Sequence, residues 1–462
     1  MKESVTFDLD IFLTVVFHHF QRERYLACSR GQLSFVPATG YRVHNGIMKV
    51  TLDLNIKGMS YLDVSNEIMS ALYLDDIERE HTIFVMPDSV EFGSGAAYGE
   101  NMGTLSWFMS FVASYPIVQV RFPIQEVMTV CDVIVFSHLS FGFQTKVHEL
   151  GHNLGHAHSG SASSAYGDST CMMGLFGDVS GDGYKCFNPA KTWYNSWFEE
   201  HHGIVYPLQQ GYDGSLVGLD DITNNRISHS QHAVVKVDSS GTSGMNSNDL
   251  FLMFSRKEGI NKDVPGIEDN RVIVTEQIRD GSPSVQVASL GSGESYVQQN
   301  WHKGKPLVIK NCALQRKGFA LSSRVLVYYK GAGELSCDDI QLRSQGLSNK
   351  CITEKNGSLV MRTCEPLVSQ RWHMDGNGHI RSSSMNNRCI MGENGSTEKG
   401  SRLVLGPCKD GKQYRFIISS GKIKPLKNRS VCIGKKKESN RLEFMPCSMP
   451  YTRWREVAFS ET

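Results

Sequence analysis

The stretch HELGHNLGHAH, residues 148–158, holds four of the chain's 16 histidines and one glutamate. On an α-helix His148 and His152 stand one turn apart, so both imidazoles project from the same face. Neutral imidazoles are good zinc ligands, and a catalytic zinc usually has three protein ligands and a water. Glu149 adjoins the first histidine, where its carboxylate can take a proton from that zinc-bound water. The stretch therefore predicts a catalytic zinc site that still needs a third ligand.

Two histidines, His156 and His158, are candidates for that third ligand. Gly155 allows the helix to end before them, because glycine readily adopts the positive φ that terminates helices. The extended signature H-E-x-x-H-x-x-G-x-x-H places its third histidine three residues past the glycine, at His158. We therefore expect one zinc ion on His148, His152 and His158, with His156 pointing elsewhere.

The histidines, the glutamate and the glycine of this signature resemble those of the metzincin metallopeptidases, in which a methionine turn lies beneath the zinc. The segment YGDSTCMMG, residues 166–174, follows at a suitable distance. Met173, directly before a glycine, matches the methionine of that turn, and Met172 is the alternative. The resemblance implies a metalloendopeptidase that hydrolyses peptide bonds with Glu149 as the proton shuttle.

The surrounding sequence is similar to the gametolysin-type peptidases, which degrade extracellular-matrix and cell-wall glycoproteins. The likeness rests on CFNPAKTWYNSWF after the methionine turn and on YLACSRGQLSFVPA near the N-terminus. In such a domain Cys171 and Cys186 are candidates for a disulfide between the methionine turn and the following loop. No motif places a tyrosine at the metal, so any role of Tyr166 or Tyr194 stays open.

The hydrophobic pattern divides the chain into three domains. Residues 1–201 mix helical spacing with apolar runs such as HTIFV and DVIVF, which predicts an α+β domain, with a zincin-like fold implied by the resemblance. Residues 202–336 contain short β-branched runs separated by Gly, Asn, Asp and Ser, a spacing that favours an antiparallel β-sandwich. Residues 337–462 contain a threefold repeat, predicted to be an all-β domain, and eight of the chain's 12 cysteines lie between residues 312 and 447.

Each copy of the repeat opens with a cysteine–isoleucine pair and ends with a second cysteine after an apolar strand. Three copies of about 40 residues imply a pseudo-threefold all-β structure, since one copy could not bury its own face. Each copy is expected to contain one disulfide, and the predicted pairs are Cys351–Cys364, Cys389–Cys408 and Cys432–Cys447.

The first copy also contains Gln370-x-Trp372. With the paired cysteines, this QxW element resembles the ricin-type β-trefoil lectins and implies a lectin-like domain. The element is degenerate in the other copies, as Tyr414-Arg-Phe416 and Thr452-Arg-Trp454, but an aromatic residue there would still pack the trefoil core.

A sugar site in such lectins usually needs an aspartate just after the first cysteine of a repeat. The corresponding positions hold Thr353, Met391 and Gly434, none of which offers a carboxylate to sugar hydroxyls. Residues 351–462 hold 20 Lys+Arg against 10 Asp+Glu, a net charge of +10. An interaction surface and the binding of acidic glycans therefore stay open as alternatives.

Cysteine usage and glycosylation motifs favour an extracellular location. The chain has 12 cysteines, an even number, and eight of them lie between residues 312 and 447. The sequons at Asn356, Asn394 and Asn428 lie in that same region. No apolar run approaches the roughly 20 residues that a membrane helix needs. The run IFLTVVF follows the acidic stretch MKESVTFDLD, unlike a signal peptide, so we expect the natural start to lie upstream.

Together these features predict a secreted zinc endopeptidase that cleaves extracellular-matrix or cell-wall glycoproteins and carries a lectin-like targeting module. Its expected partners are the protein substrate and glycans, with no nucleic acid and no membrane span. The alternative is a carbohydrate- or matrix-binding adhesion protein whose protease domain is inactive.

Overall fold

A computed structural model describes the protein at residues 22–33, 36–37, 47–48, 63, 67, 81–85, 97–99, 105–108, 117–121, 132–136, 147–148, 150–152, 154–174, 184–209, 211–224, 231–243, 248–317, 320–331, 334–365, 367–385, 388–436 and 438–458. Glu149, the predicted proton shuttle, lies outside the described residues. Within those residues no helix combines the length and the apolar character that crossing a bilayer requires.

The N-terminal part contains one mixed sheet and the beginning of the histidine motif. Its elements are helix α1 (Arg22–Cys28) and strands β1 (Val36–Pro37), β2 (Ile47–Met48), β3 (His81–Val85), β4 (Ala97–Gly99), β5 (Leu105–Phe108), β6 (Ile117–Arg121), β7 (Asp132–Phe136) and β8 (Ser159–Ser161). Strands β1 to β7 form a sheet in the order β1-β6-β3-β7-β5-β4, with β2 also on β6. The runs HTIFV and DVIVF are strands β3 and β7, as predicted, and they pair in parallel.

The middle of the chain is built from two sheets. Its elements are helices α2 (Pro189–Tyr194) and α3 (Leu219–Thr223) and strands β9 (His202–Val205), β10 (Tyr212–Val217), β11 (Gln231–His232), β12 (Val234–Val237), β13 (Asp249–Ser255), β14 (Arg271–Gln277), β15 (Ser284–Leu290), β16 (Ser295–His302), β17 (Lys305–Lys317) and β18 (Ala320–Tyr329). The sheets have the orders β8-β15-β14-β13-β12-β9 and β11-β10-β18-β17-β16.

Apolar side chains from both middle sheets share one core, in which Leu252 of β13, Trp301 of β16 and Val325 of β18 are fully buried. Strand β8, which follows the histidine motif, is an edge strand of the first sheet. The sheet therefore crosses the boundary predicted at residues 201 and 202. A separate sandwich domain with those bounds stays a prediction.

The C-terminal part consists of short strands and tight turns. Its strands are β19 (Ile340–Ser344), β20 (Lys350–Lys355), β21 (Ser358–Thr363), β22 (Trp372–Met374), β23 (Ile380–Ser382), β24 (Arg388–Gly392), β25 (Leu403–Pro407), β26 (Phe416–Ser419), β27 (Lys422–Pro425), β28 (Val431–Lys435), β29 (Leu442–Pro446) and β30 (Trp454–Ala458). Eight strands form one sheet, which closes on itself where β19 pairs with β20. Two further hairpins, β26–β27 and β28–β29, complete the threefold arrangement.

Several single-turn 3-10 helices connect these elements. They lie at Glu199–His201, Gly259–Asn261, Gly266–Glu268, Val368–Gln370, Glu393–Gly395, Lys412–Tyr414 and Pro450–Thr452. Three of the seven fall at the QxW element and its two degenerate counterparts, where the chain turns inward before its aromatic residue enters the core.

The aromatic residues of the three repeats pack in the C-terminal core. Trp372, Phe416 and Trp454 are each buried there, as the degenerate QxW elements predicted. The indole N–H of Trp372 donates to the carbonyl of Ile352 at 3.1 Å, and that of Trp454 donates to the carbonyl of Ile433 at 2.8 Å. Each tryptophan thus binds the isoleucine that follows the first cysteine of its own repeat.

A buried ion network joins the middle sheets to the C-terminal part. The carboxylate of Asp213 on β10 accepts two hydrogen bonds from Arg324 on β18, at 3.0 and 2.8 Å. It also accepts one from Arg371, the middle residue of the QxW element, at 2.6 Å. The disulfide Cys312–Cys337 ties strand β17 to the segment that leads into β19.

The structure contains the three disulfides predicted within the repeats. The predicted pairing of Cys171 with Cys186 is wrong, because Cys186 is bonded to Cys28 in helix α1. Cys171 is a free, buried thiol whose sulfur accepts backbone N–H groups from Met173 and Asn188, at 3.4 and 3.3 Å. Burial raises the pKa of this thiol to about 11, so it stays protonated at neutral pH.

Candidate metal centre

The helix that carries the first two histidines ends at Gly155, as its sequence predicts. The N–H of Gly155 donates to the carbonyl of His152 at 2.9 Å, and the N–H of His156 donates to the carbonyl of Gly151 at 3.1 Å. This pair of bonds is the Schellman motif, and it needs the left-handed backbone that Gly155 adopts at φ +82°. The chain therefore leaves the helix immediately and turns back toward the histidine face.

The turn brings His158 to the two helical histidines. One ring nitrogen from each of His148, His152 and His158 lies within 4.8 Å of the other two. The ring centroids are 5.0 Å apart for His148 and His152, 5.3 Å for His148 and His158, and 4.8 Å for His152 and His158. Among the described residues this is the only group of three or more His, Cys, Asp or Glu side chains that meets such a spacing.

Two of the three rings are oriented by main-chain carbonyls. Nδ1 of His148 lies 2.9 Å from the carbonyl of Met172, and Nδ1 of His152 lies 2.7 Å from the carbonyl of His156. Because a carbonyl only accepts, each Nδ1 carries the hydrogen of the neutral ring, and each Nε2 keeps its lone pair. Such outer hydrogen bonds fix both the tautomer and the direction of a metal-binding imidazole.

Burial keeps these rings neutral. It lowers the pKa of His148 to about 3, helped by the neighbouring His152, and the pKa of His152 to about 4, helped by His158. It also lowers the pKa of His158, with Lys191 adding to the effect. At neutral pH the three imidazoles therefore present unprotonated nitrogens, which is the state that a divalent metal requires.

The chain after the third histidine passes beneath the group as a turn that contains both methionines. The sulfur of Met173 lies against Gly151, so closely that a Cβ at that glycine would overlap it. Met172 contributes its carbonyl to His148 instead. Of the two alternatives, Met173 is the one whose side chain packs against Gly151, which lies between the two helical histidines. Its role beneath a bound metal stays a prediction.

A buried carboxylate that the sequence analysis missed organises this turn. Asp168 accepts hydrogen bonds from the backbone N–H and hydroxyl of Thr170, at 2.9 and 2.6 Å. Its other oxygen accepts from Ser159 at 2.6 Å and from Asn188 at 3.1 Å. Asn188 in turn caps helix α2 by accepting from the N–H of Lys191. The local signal was the Asp-Ser-Thr sequence at 168–170, since aspartate often bonds the backbone two residues on.

The fourth histidine of the motif lies away from the other three. His156 is completely buried, with its ring 4.6 Å from that of Phe187 and 5.3 Å from that of Tyr194. The ring of Tyr166, which is 39% exposed, lies 4.1 Å from that of His158 and 6.0 Å from that of His148. Tyr166 therefore covers one side of the three histidines, whereas Tyr194 packs on the bystander.

The residues of the lectin-like motif are buried inside the C-terminal part and do not converge on an open site. Gln370 is fully buried, donates to the carbonyl of Thr363 at 2.7 Å and accepts from Gln341 at 2.8 Å. Thr353 and Met391, at two of the positions where a sugar-binding aspartate is expected, are only 2% and 9% exposed. At the third, a Cβ on Gly434 would lie 2.8 Å from the sulfur of Met445. The three positions therefore face protein.

Family comparisons agree with both predicted resemblances. Residues 24–210 match the family model of gametolysin peptidase M11, a match that spans all three histidines. Residues 284–416 match the family model of the ricin-type beta-trefoil lectin domain. These two matches confirm the expected resemblance to gametolysin-type peptidases and to ricin-type β-trefoil lectins. No curated protein sequence was found to match the chain.

Solved structures similar to this chain include several lectins. The β-trefoil lectin of the Vibrio vulnificus hemolysin/cytolysin, crystallised with N-acetyl-D-lactosamine, is 14% identical over 27% of this chain and 96% of that chain, with a TM-score of 0.23. The C-half of an earthworm R-type lectin, in complex with GalNAc, is 16% identical over 26% and 98%, with a TM-score of 0.22. The agglutinin from Abrus precatorius is 14% identical over 47% and 90%, with a TM-score of 0.24.

Proposed function

We propose that this chain is a secreted zinc-dependent endopeptidase of the metzincin type, acting on peptide bonds in extracellular-matrix or cell-wall glycoproteins. The observation that carries the proposal is the convergence of three neutral imidazoles within 4.8 Å, inside the region that matches a peptidase family. Three nitrogen donors, two of them oriented by backbone carbonyls, fit a catalytic zinc and leave one position for water or substrate.

His148, His152 and His158 hold the metal in this proposal. Zinc held there would polarise the scissile carbonyl and lower the pKa of a bound water toward neutrality. Glu149 follows the first ligand directly in the sequence, and it receives the proton of the attacking water and passes it to the leaving amine. Met173 supports the ligands from below, and Tyr166 shields His158 from solvent on one side.

A secreted location is part of the proposal and is supported by the oxidised cysteines. Five disulfides join cysteines of the described residues, a number typical of extracellular proteins. The sequon residues Asn356 and Asn394 are exposed in turns, at φ +52° and φ +57°. Glycans are readily attached to asparagines in such surface turns.

The C-terminal trefoil is proposed to direct the peptidase to its substrate. Its net charge of +10 over residues 351–462 favours acidic glycans or acidic segments of a glycoprotein. The buried positions of Thr353 and Met391 speak against the carboxylate-based sugar recognition that the motif is known for. We therefore assign the trefoil to surface recognition and not to a ricin-like pocket.

Hydrolysis of a quenched fluorescent peptide, with and without a chelator, tests the enzyme assignment. We expect activity that EDTA abolishes and Zn²⁺ restores. Glu149→Gln should retain the metal and lose about 10²–10⁴-fold in kcat/KM, because the proton shuttle is gone. Glu199→Gln, which neutralises an exposed carboxylate of the same region, is the matched control and should keep full activity.

The adhesion alternative predicts a different result in the same assay. A purified chain that binds Zn²⁺ stoichiometrically, cleaves no peptide or protein and still binds immobilised glycans would favour the binding protein. Full activity in Glu149→Gln at unchanged zinc content would instead refute the proton-transfer role while leaving the peptidase assignment in place.

A further inference from the structure

The third histidine is held by a segment from the middle of the chain. Residues 281–286, here called the strap, run alongside residues 157–161. The N–H of Ser284 donates to the carbonyl of His158 at 3.2 Å, and the N–H of Ala157 donates to the carbonyl of Gly281 at 3.1 Å. Beyond His158, strand β8 pairs in parallel with β15, beginning with Ser159 opposite Ser284.

Side chains of the strap reinforce this main-chain pairing. Ser284 is fully buried, and its hydroxyl lies 2.8 Å from Nδ2 of Asn188 and 3.1 Å from the hydroxyl of Ser159. Both partners also contact Asp168, the carboxylate that organises the methionine turn. The strap thus contacts the third ligand and the buried network under the metal centre at the same time.

Gly281 allows the strap to approach this closely. It adopts φ +75°, and a Cβ placed on it would lie 2.9 Å from the carbonyl oxygen of Gly155. Gly155 is the residue that ends the helix and starts the turn to His158. A side chain at position 281 would therefore press on the segment that delivers the third ligand.

His158 depends on such outside support more than the other two histidines do. His148 and His152 lie on a helix, and each has an Nδ1 hydrogen bond to a carbonyl. His158 lies beyond the helix end, and within the described residues no hydrogen bond reaches its ring. Its direction is therefore set by its main chain and by ring packing with Tyr166.

We infer that the strap is a positioning element of the metal centre, so that the catalytic unit includes the middle sheets. The inference rests on the proposed zinc site and adds a requirement to it. The peptidase family match ends at residue 210, and Gly281 lies between it and the lectin match, which begins at residue 284. A separately expressed N-terminal part would lack the group that binds the carbonyl of His158.

The test compares two glycine substitutions in the full-length chain. Gly281→Ala forces a side chain against Gly155, whereas Gly293→Ala places one in open space at a similar φ of +87°. Both carry the same penalty for a positive φ, so they differ in the contact alone. Co²⁺ titration, followed by visible absorption, and Zn²⁺ competition report the affinity and geometry of the site. We expect at least tenfold weaker binding and an altered Co²⁺ spectrum in Gly281→Ala, with Gly293→Ala within twofold of wild type.

A second pair keeps the test decisive if Gly281→Ala fails to fold. Ser284→Ala removes the hydroxyl that contacts Asn188 and Ser159, and Ser289→Ala removes a hydroxyl from the other end of β15. About threefold weaker Co²⁺ binding is expected only for the first. Equal affinities within each pair of folded variants overturn the inference. If the His158→Ala variant bound Co²⁺ as tightly as the wild-type chain, the proposed zinc site itself would be overturned.

Discussion

The histidine turn and the C-terminal repeats both carry a recognisable motif, but they place its side chains in opposite environments. In the histidine turn, Nδ1 of His148 and Nδ1 of His152 bond to carbonyls while the remaining ring nitrogens converge with one of His158. In the first repeat, Gln370 and Trp372 use their polar atoms on backbone carbonyls and neighbouring groups inside a closed core.

The difference shows how a motif with a chemical role can be distinguished from one with an architectural role. A chemical site leaves lone pairs or protons directed at a shared point, because the ligand supplies the missing partner. An architectural motif satisfies its polar groups within the protein, since unpaired buried groups destabilise the fold. By this criterion the histidine turn has the geometry of a ligand site, and the QxW element is part of the framework.

The largest effect that this comparison predicts separates the two histidines beyond Gly155. His158→Ala should reduce peptidase activity to background and abolish tight Zn²⁺ binding, because one of three ligands is lost. His156→Ala should keep the metal but lower the free energy of unfolding by about 2–3 kcal/mol, since it leaves a cavity between Phe187 and Tyr194. Zinc analysis and thermal unfolding measure both outcomes. Loss of zinc in His156→Ala alone would reverse the assignment.

Substitution in the QxW element is expected to change stability alone, which is a smaller effect than the loss of zinc and activity. Trp372→Ala should destabilise the trefoil by about 3–5 kcal/mol, because it removes a fully buried indole and its hydrogen bond to Ile352. Peptide hydrolysis by the folded fraction should be unchanged. Calorimetry and kinetics on the same preparation check this. A kcat that falls while the protein remains folded would mean that the trefoil core takes part in the chemistry.

The smallest effect concerns pH and the metal-free protein. The pKa of His148 is about 3 and that of His152 about 4 in the folded chain, against an ordinary value of 6.5. The unfolded chain therefore binds more protons below pH 6.5, so this stabilisation is complete above pH 6.5, decreases progressively as the pH falls below that value, and is fully lost once the pH is below the two folded values. Chelated protein should show a melting temperature several degrees lower at pH 5 than at pH 7. Equal melting temperatures at both pH values would contradict neutral, buried histidines.

Local features of the site were predictable from the residues alone. His148 and His152 follow from helical spacing, and the helix end at Gly155 follows from the backbone freedom of glycine. The disulfides of the repeats join cysteines only 13 to 19 residues apart, so the repeat pattern reveals them. In each case the contacting residues are close in sequence, and geometry leaves few alternatives.

Contacts between distant segments were not predictable in this way. Cys186 pairs with Cys28 across 158 residues and not with the nearby Cys171, whose sulfur accepts two backbone N–H groups instead. The carbonyl of His158 is bound by Ser284, from a strand in the middle of the chain. No local pattern marks Ser284 or Gly281, because their role depends on which strand edge meets the turn after folding.

The residues of the motif and the repeat were thus enough to predict a turn that brings three histidines together and a threefold β-structure. Both depend on short-range spacing, which the covalent chain imposes in any context. Tertiary structure alone decided which cysteine Cys186 binds, which methionine packs against Gly151 and which strand holds His158. These outcomes depend on long-range packing, where chain segments far apart in sequence compete for the same burial and the same hydrogen-bonding groups.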